Sequence, residues 1–443
     1  MKTNPLNIKE DVPVSKTLVA QNIFLPIISK PLIGYVVAPN GSDENPGTYL
    51  LPWRTIEKAA QMVRPGETVY IREGIYAESV SFDISGTAAN PIKIQAYPGE
   101  NPAIDGGFSG GYGALLEIRG DYNYIDGIEV RNSKGRGIEV FGNYDVVDNV
   151  FVHHSIKAGI IISYGQHSTV QNSRVWRNSL TNEYGQGNAW ASGLSAARHG
   201  VAYTTIRHNT VWENWGEGIS AYEADHVTIE DNVVKDSLTG NIYISDATNV
   251  LCQRNFVYTD PNSYIYPYSA HVGIMMGDEL SNPPSANITI INNISFGNRW
   301  NYALFRGNST MNNILITNNT FVNGIITGGV ILRRDHQNVR FENNIIQQDG
   351  PLPLIIIDDN PDMSFLNNLW SKLPIEAASG PGDVIGDPLL AKVGDPYASQ
   401  WFRLTSLSPA IDKAVKIPEV LVDYFNKSRG NYPDMGAIEF LPE

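Results

Sequence analysis

Short segments rich in β-branched residues recur along this chain, and each of them ends in asparagine. The recurring residues are Asn149, Asn172, Asn209, Asn232, Asn255, Asn293, Asn319, Asn344 and Asn368. Their successive intervals are 23, 37, 23, 23, 38, 26, 25 and 24 residues. A repeat of this length cannot bury its own apolar face, so the pattern predicts a solenoid in which neighbouring coils stack on one another.

The residue types in the repeat indicate which solenoid forms. Leucine-rich repeats have a similar period but need a leucine framework that this chain lacks, whereas alternating β-branched and polar residues are typical of strands. We therefore expect an all-β fold, a parallel β-helix of about ten coils with an asparagine ladder. The predicted domains are an extension over 1–33, the β-helix over 34–380 with a capping helix from about Trp53 to Val63, and a closing segment over 381–443.

The two long intervals contain the insertions 179–192 and 259–271. Insertions in a solenoid become loops. Both of these insertions come just before a strand that begins with glycine, so we expect them to emerge from the same edge of the stack. They carry several aromatic residues, including Trp190 and Tyr268. These residues favour a sugar-binding groove over loops without a role.

The strands that follow the turns can be aligned on their first residue. They read GLSAARH from Gly193, GISAYEA from Gly218, NIYISDA from Asn241 and GIMMGDE from Gly273. Positions two and four are small or apolar and should face the core, while positions three and five should face solvent. Position six then forms a column of one guanidinium and three carboxylates, namely Arg198, Glu223, Asp246 and Asp278.

Neighbouring strands lie about 4.8 Å apart, so this column would be roughly 14 Å long. Two carboxylates at this spacing repel by about 3 kcal/mol at an effective dielectric constant near 20, which is a cost that a purely structural sheet has no reason to carry. The column therefore favours a functional site. The alternative is that position six already lies in the turn, where acidic side chains point into water and cap backbone amides.

Paired carboxylates at these spacings suit glycoside hydrolysis, in which one protonated acid and one ionised group act on the glycosidic bond. The predicted catalytic residues are Glu223, Asp246 and Asp278, with Arg198 holding one carboxylate ionised and Glu217 reaching toward the column. Hydrolysis of this kind requires no cofactor. The predicted sugar contacts are Trp190, Trp215, Tyr222, Tyr243, Tyr268, His199 and His271.

The repeat, the helix near the start and the closing segment resemble the pectin-lyase-like superfamily of right-handed parallel β-helix proteins over roughly residues 34–440. Among its members, the order of coils looks most like calcium-dependent pectate lyases. Their Asp-Asp-Gly-Trp-Asp calcium turn falls on GEGIS, which keeps only Glu217 and places Ser220 at the last aspartate. Their basic residue falls on Met275, so both motifs depart from the family pattern. A calcium-dependent polysaccharide lyase is therefore the alternative to hydrolysis.

A carbohydrate-binding β-helix without activity is the third hypothesis. A formal net charge of −14 disfavours nucleic acid as a partner and leaves a polysaccharide or oligosaccharide. The single cysteine, Cys252, lies in an apolar run and should be buried, and no apolar run is long enough to span a membrane. We expect a monomeric extracellular protein whose signal peptide is absent from this sequence.

Overall fold

The computed structural model describes residues 32–442, except 188–190, 271, 281–283, 306, 326–328, 334–335 and 359–361. Contacts divide the chain into two units, 1–33 and 34–443, and the fold given below is that of the second unit. Over the described part of the chain, the strands form three parallel sheets of 13, 13 and 11 strands. The chain enters the sheets in turn, coil after coil, so the second unit is the parallel β-helix that the repeat predicts.

The strands are short, as expected for coils of this period. Sheet 1 consists of Tyr35–Val37, Thr68–Ile71, Ile92–Ala96, Asn123–Asp126, Val146–Asp148, Thr169–Gln171, Ala202–Arg207, Asp225–Glu230, Thr248–Gln253, Ala286–Ile291, Asn312–Thr317, Gln337–Glu342 and Met363–Leu366. Sheet 2 consists of Gly74–Tyr76, Pro102–Asp105, Glu129–Arg131, Phe151–His153, Arg174–Trp176, Thr210–Trp212, Val233–Lys235, Phe256–Tyr258, Ile294–Phe296, Thr320–Val322, Ile345–Gln347, Leu369–Trp370 and Val384–Ile385. Sheet 3 consists of Val80–Phe82, Ala114–Ile118, Arg136–Val140, Ile160–Ile162, Leu194–Ala197, Ile219–Tyr222, Gly240–Ser245, Val272–Gly277, Trp300–Leu304, Val330–Leu332 and Ile355–Ile357.

Little of the chain is helical. The helix expected near residues 53–63 spans Ile56–Met62, and it begins where the Thr55 hydroxyl accepts a hydrogen bond from the Lys58 backbone N–H at 3.1 Å. It ends at Val63, whose backbone is extended. Its role as a cap over open strand edges stays a prediction. Short 3₁₀ helices are formed by Leu180–Gly185, Glu376–Ala378 and Ser399–Phe402.

The core is built from columns of apolar side chains that repeat from coil to coil. On sheet 3 the second strand position is fully buried in consecutive coils, as the alignment of the sequence predicts, and the column runs through Ile138, Ile160, Leu194, Ile219, Ile242 and Ile274. Cys252 is likewise buried, within sheet 1. Among the described helices, none is long and apolar enough to cross a membrane.

A buried asparagine ladder joins the coils at the corner between sheets 1 and 2. It comprises Asn209, Asn232, Asn255, Asn293, Asn319, Asn344 and Asn368. In each step one side-chain oxygen accepts hydrogen bonds from the backbone N–H and the side-chain amide of the previous ladder residue, at 2.9 to 3.1 Å for Asn232 and Asn255. The same amides donate to strand carbonyls, as Asn293 does to Cys252 at 2.9 Å. The predicted ladder is confirmed for these residues.

Two asparagines assigned to the ladder from the sequence lie outside it. Asn149 and Asn172 each lie one residue before the ladder position of their coil, with positive φ of 51° and 53°. Their side-chain amides donate outward to Asp126 and Asp148. In the coil of Asn172, the ladder position is occupied by Ser173, whose backbone N–H donates to the Asn209 side-chain oxygen at 2.9 Å. The later coils carry their ladder asparagine one position further along, which a repeat counted on asparagine alone does not reveal.

The ladder predicts a specific stability effect. Asn293→Ala removes a fully buried amide and leaves the backbone N–H of Asn255 and the carbonyl of Cys252 without their partners. We expect a loss of about 3 kcal/mol or more in the free energy of unfolding, measured by urea denaturation. Asn313→Gly is the control, because Asn313 belongs to an exposed asparagine row and has φ of 55°, which glycine adopts without strain. Equal losses in the two variants would contradict a structural role for burial of the ladder.

Candidate functional site

The predicted charged column exists in the backbone register. Ala197, Tyr222, Ser245 and Gly277 are paired neighbours in sheet 3, and Arg198, Glu223, Asp246 and Asp278 follow them in the chain. The alignment of coils of unequal length is therefore correct. The strands end at the fifth position, however, and Arg198, Glu223 and Asp246 have φ of 123°, 51° and 52°. Position six thus belongs to the turn.

The four side chains of this column do not form one site, and the prediction that they do is wrong. The Arg198 guanidinium donates to the Tyr164 hydroxyl at 3.3 Å. Asp278 accepts hydrogen bonds from the backbone and hydroxyl of Ser285, both at 3.0 Å. Glu223 is half-buried at its turn and, like the other three, does not line the groove that sheet 3 carries. At Arg198, Glu223 and Asp246 the positive φ belongs to a turn and not to an extended strand.

Asp246 keeps an indirect connection to the groove. Its buried carboxylate accepts hydrogen bonds from the backbone N–H groups of Glu279 at 3.0 Å and Leu280 at 2.8 Å, and from the Ser245 hydroxyl at 2.7 Å. Because Glu279 lines the groove, Asp246 fixes the turn that presents it. Asp246 is therefore a positioning residue at most.

The aromatic residues predicted to contact sugar divide into two groups. Tyr222 and Tyr243 line the groove. Trp215 is fully buried between the insertions, in contact with Tyr184, Tyr264 and Tyr268, and its indole N–H donates to the Tyr264 hydroxyl at 2.9 Å.

Because Trp215 is buried, its predicted role as a sugar platform is wrong. Its ring and those of the insertion tyrosines cover one another, since the two loops emerge together and need an apolar core of their own. Tyr268 packs on Tyr184 and Trp215 and does not line the groove, and His199 is exposed at a turn beyond it. Trp190 and His271 lie outside the described residues.

The groove has a volume of about 820 Å³ and crosses the outward face of sheet 3. Its floor includes one outward column whose members are neighbours in register, Ser195, Ser220, Tyr243 and Met275. Three positions compared with the pectate lyase motifs line this groove: Glu217, which the motif keeps, and Ser220 and Met275, at which the sequence departs from it. These three residues and Tyr222, all singled out from the sequence, therefore lie on one groove.

Glu217 is a carboxyl group almost without contact with water, since 9% of the residue is exposed. It accepts hydrogen bonds from the hydroxyls of Ser192 at 3.3 Å and Thr239 at 3.2 Å. Gly218 follows it, and a Cβ atom at that position would lie 2.4 Å from the Asn241 carbonyl oxygen, so the tight corner requires glycine. Burial raises the pKa of Glu217, the two hydroxyls oppose this only in part, and the charge of Glu279 raises the pKa further.

Tyr243 and Glu279 form a hydrogen-bonded pair in the groove, in which the Tyr243 hydroxyl donates to Glu279 Oε1 at 2.7 Å. Burial raises the pKa of Tyr243 strongly, and the bond to Glu279 raises it further, although a contact with Ser245 lowers it. Burial and then the Glu279 charge raise the pKa of Tyr222 to about 12. Both phenols therefore hold their protons across the ordinary pH range, and Glu279 acts electrostatically on Glu217, Tyr222 and Tyr243 alike.

Glu279, Arg136 and Lys157 line the groove but were not identified from the sequence. Glu279 directly follows Asp278, so it lies one position beyond the aligned column, at position seven of its segment. Arg136 precedes the coil glycine Gly137, just as Glu217 precedes Gly218. A comparison of the residues that precede the coil glycines could therefore have identified Arg136 as a groove residue.

The groove residues do not fit a calcium ion of the pectate lyase kind. Calcium takes six to eight oxygen ligands, several of them carboxylates. At the corresponding turn, Glu217 is bonded to Ser192 and Thr239, and Ser220 shares a 2.7 Å hydrogen bond with Ser192. No group of three acidic, histidine or cysteine side chains suited to a metal occurs within the described ranges. A single buried carboxyl group bonded to hydroxyls takes the place of a charged cluster.

Fold and groove together define the class of protein: a parallel β-helix with a groove on one sheet that carboxyl, phenol and hydroxyl groups line. A family model described as "Pel9A-like, right handed beta helix region" matches residues 35–255, and one described as "Right handed beta helix region" matches residues 192–370. The chain belongs to the pectin-lyase-like superfamily of right-handed parallel β-helix proteins, as its sequence resemblance predicts.

Individual relatives agree with this assignment. Pectate lyase L of Dickeya dadantii (strain 3937) is 26% identical over 427 residues, which cover 91% of this chain and 90% of the relative. The crystal structure of pectate lyase Pel9A has a TM-score of 0.59 at 22% identity and covers 91% of this chain and 96% of its own. The structure of XylC with xylose has a TM-score of 0.61 at 12% identity, over 92% of this chain and 98% of its own. The solved structures support the fold.

The raised pKa of Glu217 predicts how stability depends on pH. The folded protein binds the proton of Glu217 more tightly than the unfolded chain does, in which glutamates have a pKa of about 4.3. The contribution of Glu217 to the free energy of unfolding therefore falls as the pH rises above that value. Glu217→Gln keeps a hydrogen-bond acceptor but cannot ionise. We expect this variant to gain thermal stability relative to the wild type as the pH increases from about 4 to about 8.

Asp148 provides a control of opposite sign. Burial works against its ionised form, but hydrogen bonds from Tyr124, Asn172 and Gln171 prevail and lower its pKa. Asp148→Asn should therefore lose stability relative to the wild type as the pH rises. A Glu217→Gln curve parallel to the wild-type curve would show that Glu217 ionises normally in the folded protein.

Proposed function

We propose that this protein is a polysaccharide lyase that cleaves a uronic-acid-containing polysaccharide by β-elimination in the groove of sheet 3. The observation that carries this proposal is the 2.7 Å hydrogen bond between Tyr243 and Glu279, beside the buried carboxyl group of Glu217. The similarity to pectate lyase L over 91% of the chain supports elimination as the reaction class. Such a polymer lies outside the cell, and the enzyme would act there.

In β-elimination at a uronate, a base removes the proton at C5, the C4–C5 double bond forms, and the bond from C4 to the glycosidic oxygen breaks as that oxygen takes up a proton. Glu279 is the base in this proposal, because a carboxylate can abstract a proton next to a carbonyl when it is held in place. Tyr243 is the acid, because its raised pKa keeps it a phenol that can donate to the leaving oxygen.

The pair also explains how the site returns to its starting state. After one turnover Glu279 carries a proton and Tyr243 has lost one. Their hydrogen bond at 2.7 Å is the direct path by which the proton passes from the carboxyl group to the phenolate. No outside group is needed to reset the site.

Glu217 supplies the remaining requirement, which is stabilisation of charge on the substrate carboxylate as C5 loses its proton. A carboxylic acid kept neutral by burial can donate a hydrogen bond to an oxyanion. Glu217 has the burial and the raised pKa for this role. The proposed reaction therefore involves no step through calcium, in keeping with the donor groups at this turn.

Glycoside hydrolysis is the second candidate, and one observation favours it. Burial and the charge of Glu279 raise the pKa of Glu217, while Glu279 accepts a hydrogen bond from Tyr243. An acid and a base or nucleophile with this difference are what hydrolysis requires. The two reactions use the same residues and differ in their products, because only elimination gives an unsaturated sugar.

The experiment combines two readouts on a panel of acidic and neutral polysaccharides, ultraviolet absorbance of the unsaturated product and release of reducing ends. Elimination raises both signals together. Tyr243→Phe and Glu279→Gln should each lower kcat by roughly 10²- to 10⁴-fold, because each removes a proton-transfer group. Glu217→Gln should lower kcat less, since an amide still donates a hydrogen bond.

Tyr203→Phe is the matched control for Tyr243→Phe, because Tyr203 is exposed on sheet 1 and stacks on His167 away from the groove. Reducing ends without absorbance would assign the protein to hydrolysis. The absence of both signals on every substrate would favour a carbohydrate-binding β-helix without activity. Wild-type rates in Tyr243→Phe or Glu279→Gln would refute the residue roles.

A further inference from the structure

A cationic cluster lies at the end of the groove toward the N-terminal coils, where Tyr112, Lys134 and Lys157 meet. The Lys134 ammonium lies 4.8 Å and the Lys157 ammonium 5.7 Å from the centre of the Tyr112 ring, which is 64% exposed. Cation–π contacts at these distances hold both ammonium groups near one point on the surface.

The backbone builds this cluster from three successive coils. The Arg136 N–H donates to the Gly113 carbonyl at 3.1 Å, and the Lys157 N–H donates to the Gly135 carbonyl at 2.9 Å. A Cβ atom on Gly135 would lie 1.9 Å from the Gly113 carbonyl oxygen, so this close approach depends on glycine. Tyr112, Lys134 and Lys157 are thus brought together by the stacking of the coils.

The two ammonium groups of the cluster differ from many other cations of the described chain in their pairing. Several cations elsewhere form ion pairs, as Arg72 does with Glu100 and Arg254 with Glu230, both at 2.8 Å. Neither Lys134 nor Lys157 forms an ion pair with any carboxylate in the described part of the chain. In a chain of net charge −14, two unpaired ammonium groups at one place form a local attraction for an anion.

The cluster is continuous with the groove but distant from Tyr243. Lys157 lines the groove and contacts Tyr112. Lys157 lies just before the strand Ile160–Ile162, and Tyr243 lies in the strand Gly240–Ser245. These two strands are three steps apart in sheet 3, so their backbones are separated by roughly 14 Å. An anionic group bound here therefore belongs to a sugar several units from the one that reacts.

We propose that Tyr112, Lys134 and Lys157 form a subsite for an anionic sugar unit, which binds through a carboxylate or a sulfate group and sets the position of the polysaccharide along the groove. Tyr112 is a positioning residue that orients the two ammonium groups. This inference deepens the proposed function, on which it rests for the identity of the groove as the polysaccharide site.

Calorimetric titration without turnover tests the subsite. The probes are oligogalacturonates long enough to fill the groove, their carboxyl-reduced neutral counterparts, and a sulfated galactan oligosaccharide of equal length. The wild type should bind an anionic probe more tightly than the neutral one, with affinity that falls as salt is added. The double variant Lys134→Gln/Lys157→Gln should lose roughly five- to tenfold in affinity for that anionic probe and keep its affinity for the neutral one. Which anionic probe binds more tightly identifies the group as carboxylate or sulfate.

Lys93→Gln is the matched control, because Lys93 is exposed on sheet 1 and its replacement removes the same charge. Tyr112→Ala should reproduce part of the loss of affinity without changing net charge. In turnover, the double variant should raise KM and leave kcat unchanged. Selective anion binding that depends on the two lysines, without any unsaturated product, would support the subsite and refute only the lyase. Equal affinity for anionic and neutral probes, or equal behaviour of the double variant and Lys93→Gln, would overturn the subsite.

Discussion

The buried hydrogen bonds that join one coil to the next are the interaction on which the rest of the structure depends. Each ladder asparagine satisfies a backbone N–H of the neighbouring coil and a strand carbonyl at the same time, in a place that water does not reach. The ladder also bridges the long repeats. Ser173 bonds to Asn209 across 36 residues and Asn255 to Asn293 across 38, with distances of 2.9 Å in both cases.

Because the ladder restores the register after every insertion, residues far apart in sequence come to lie on one line of sheet 3. Ser195, Ser220, Tyr243 and Met275 are such a line, although an insertion separates Tyr243 from Met275. The extra residues leave the coil as loops and pack on each other through Trp215 and its neighbouring tyrosines. The groove is thus a product of constant register combined with variable loops.

This division also decides what could be predicted from the sequence. The period, the fold and the inward positions follow from alternation and stacking, and the backbone alignment of residues 198, 223, 246 and 278 was correct. The direction of those side chains was not predictable, because it depends on where each strand ends and on a left-handed turn residue that several residue types adopt. Trp215 was misplaced for a related reason, since an aromatic residue beside an insertion can fill its core as readily as a groove.

The charges along the groove run in one direction, and this constrains its chemistry. Lys157 and Arg136 lie toward the N-terminal coils, while Glu217 and Glu279 lie further along the stack. Arg136 is already engaged with Glu139 at 3.2 Å, which leaves Lys157 as the groove-lining cation available to an anion. In the proposed complex, a ligand with a negative charge at one end would therefore be held in one orientation. In the proposed reaction, the buried carboxyl group of Glu217 would stabilise charge that develops on the substrate without attracting the resting substrate as strongly as a cation would. Stabilisation of this kind acts mainly on the transition state, which is where it accelerates a reaction.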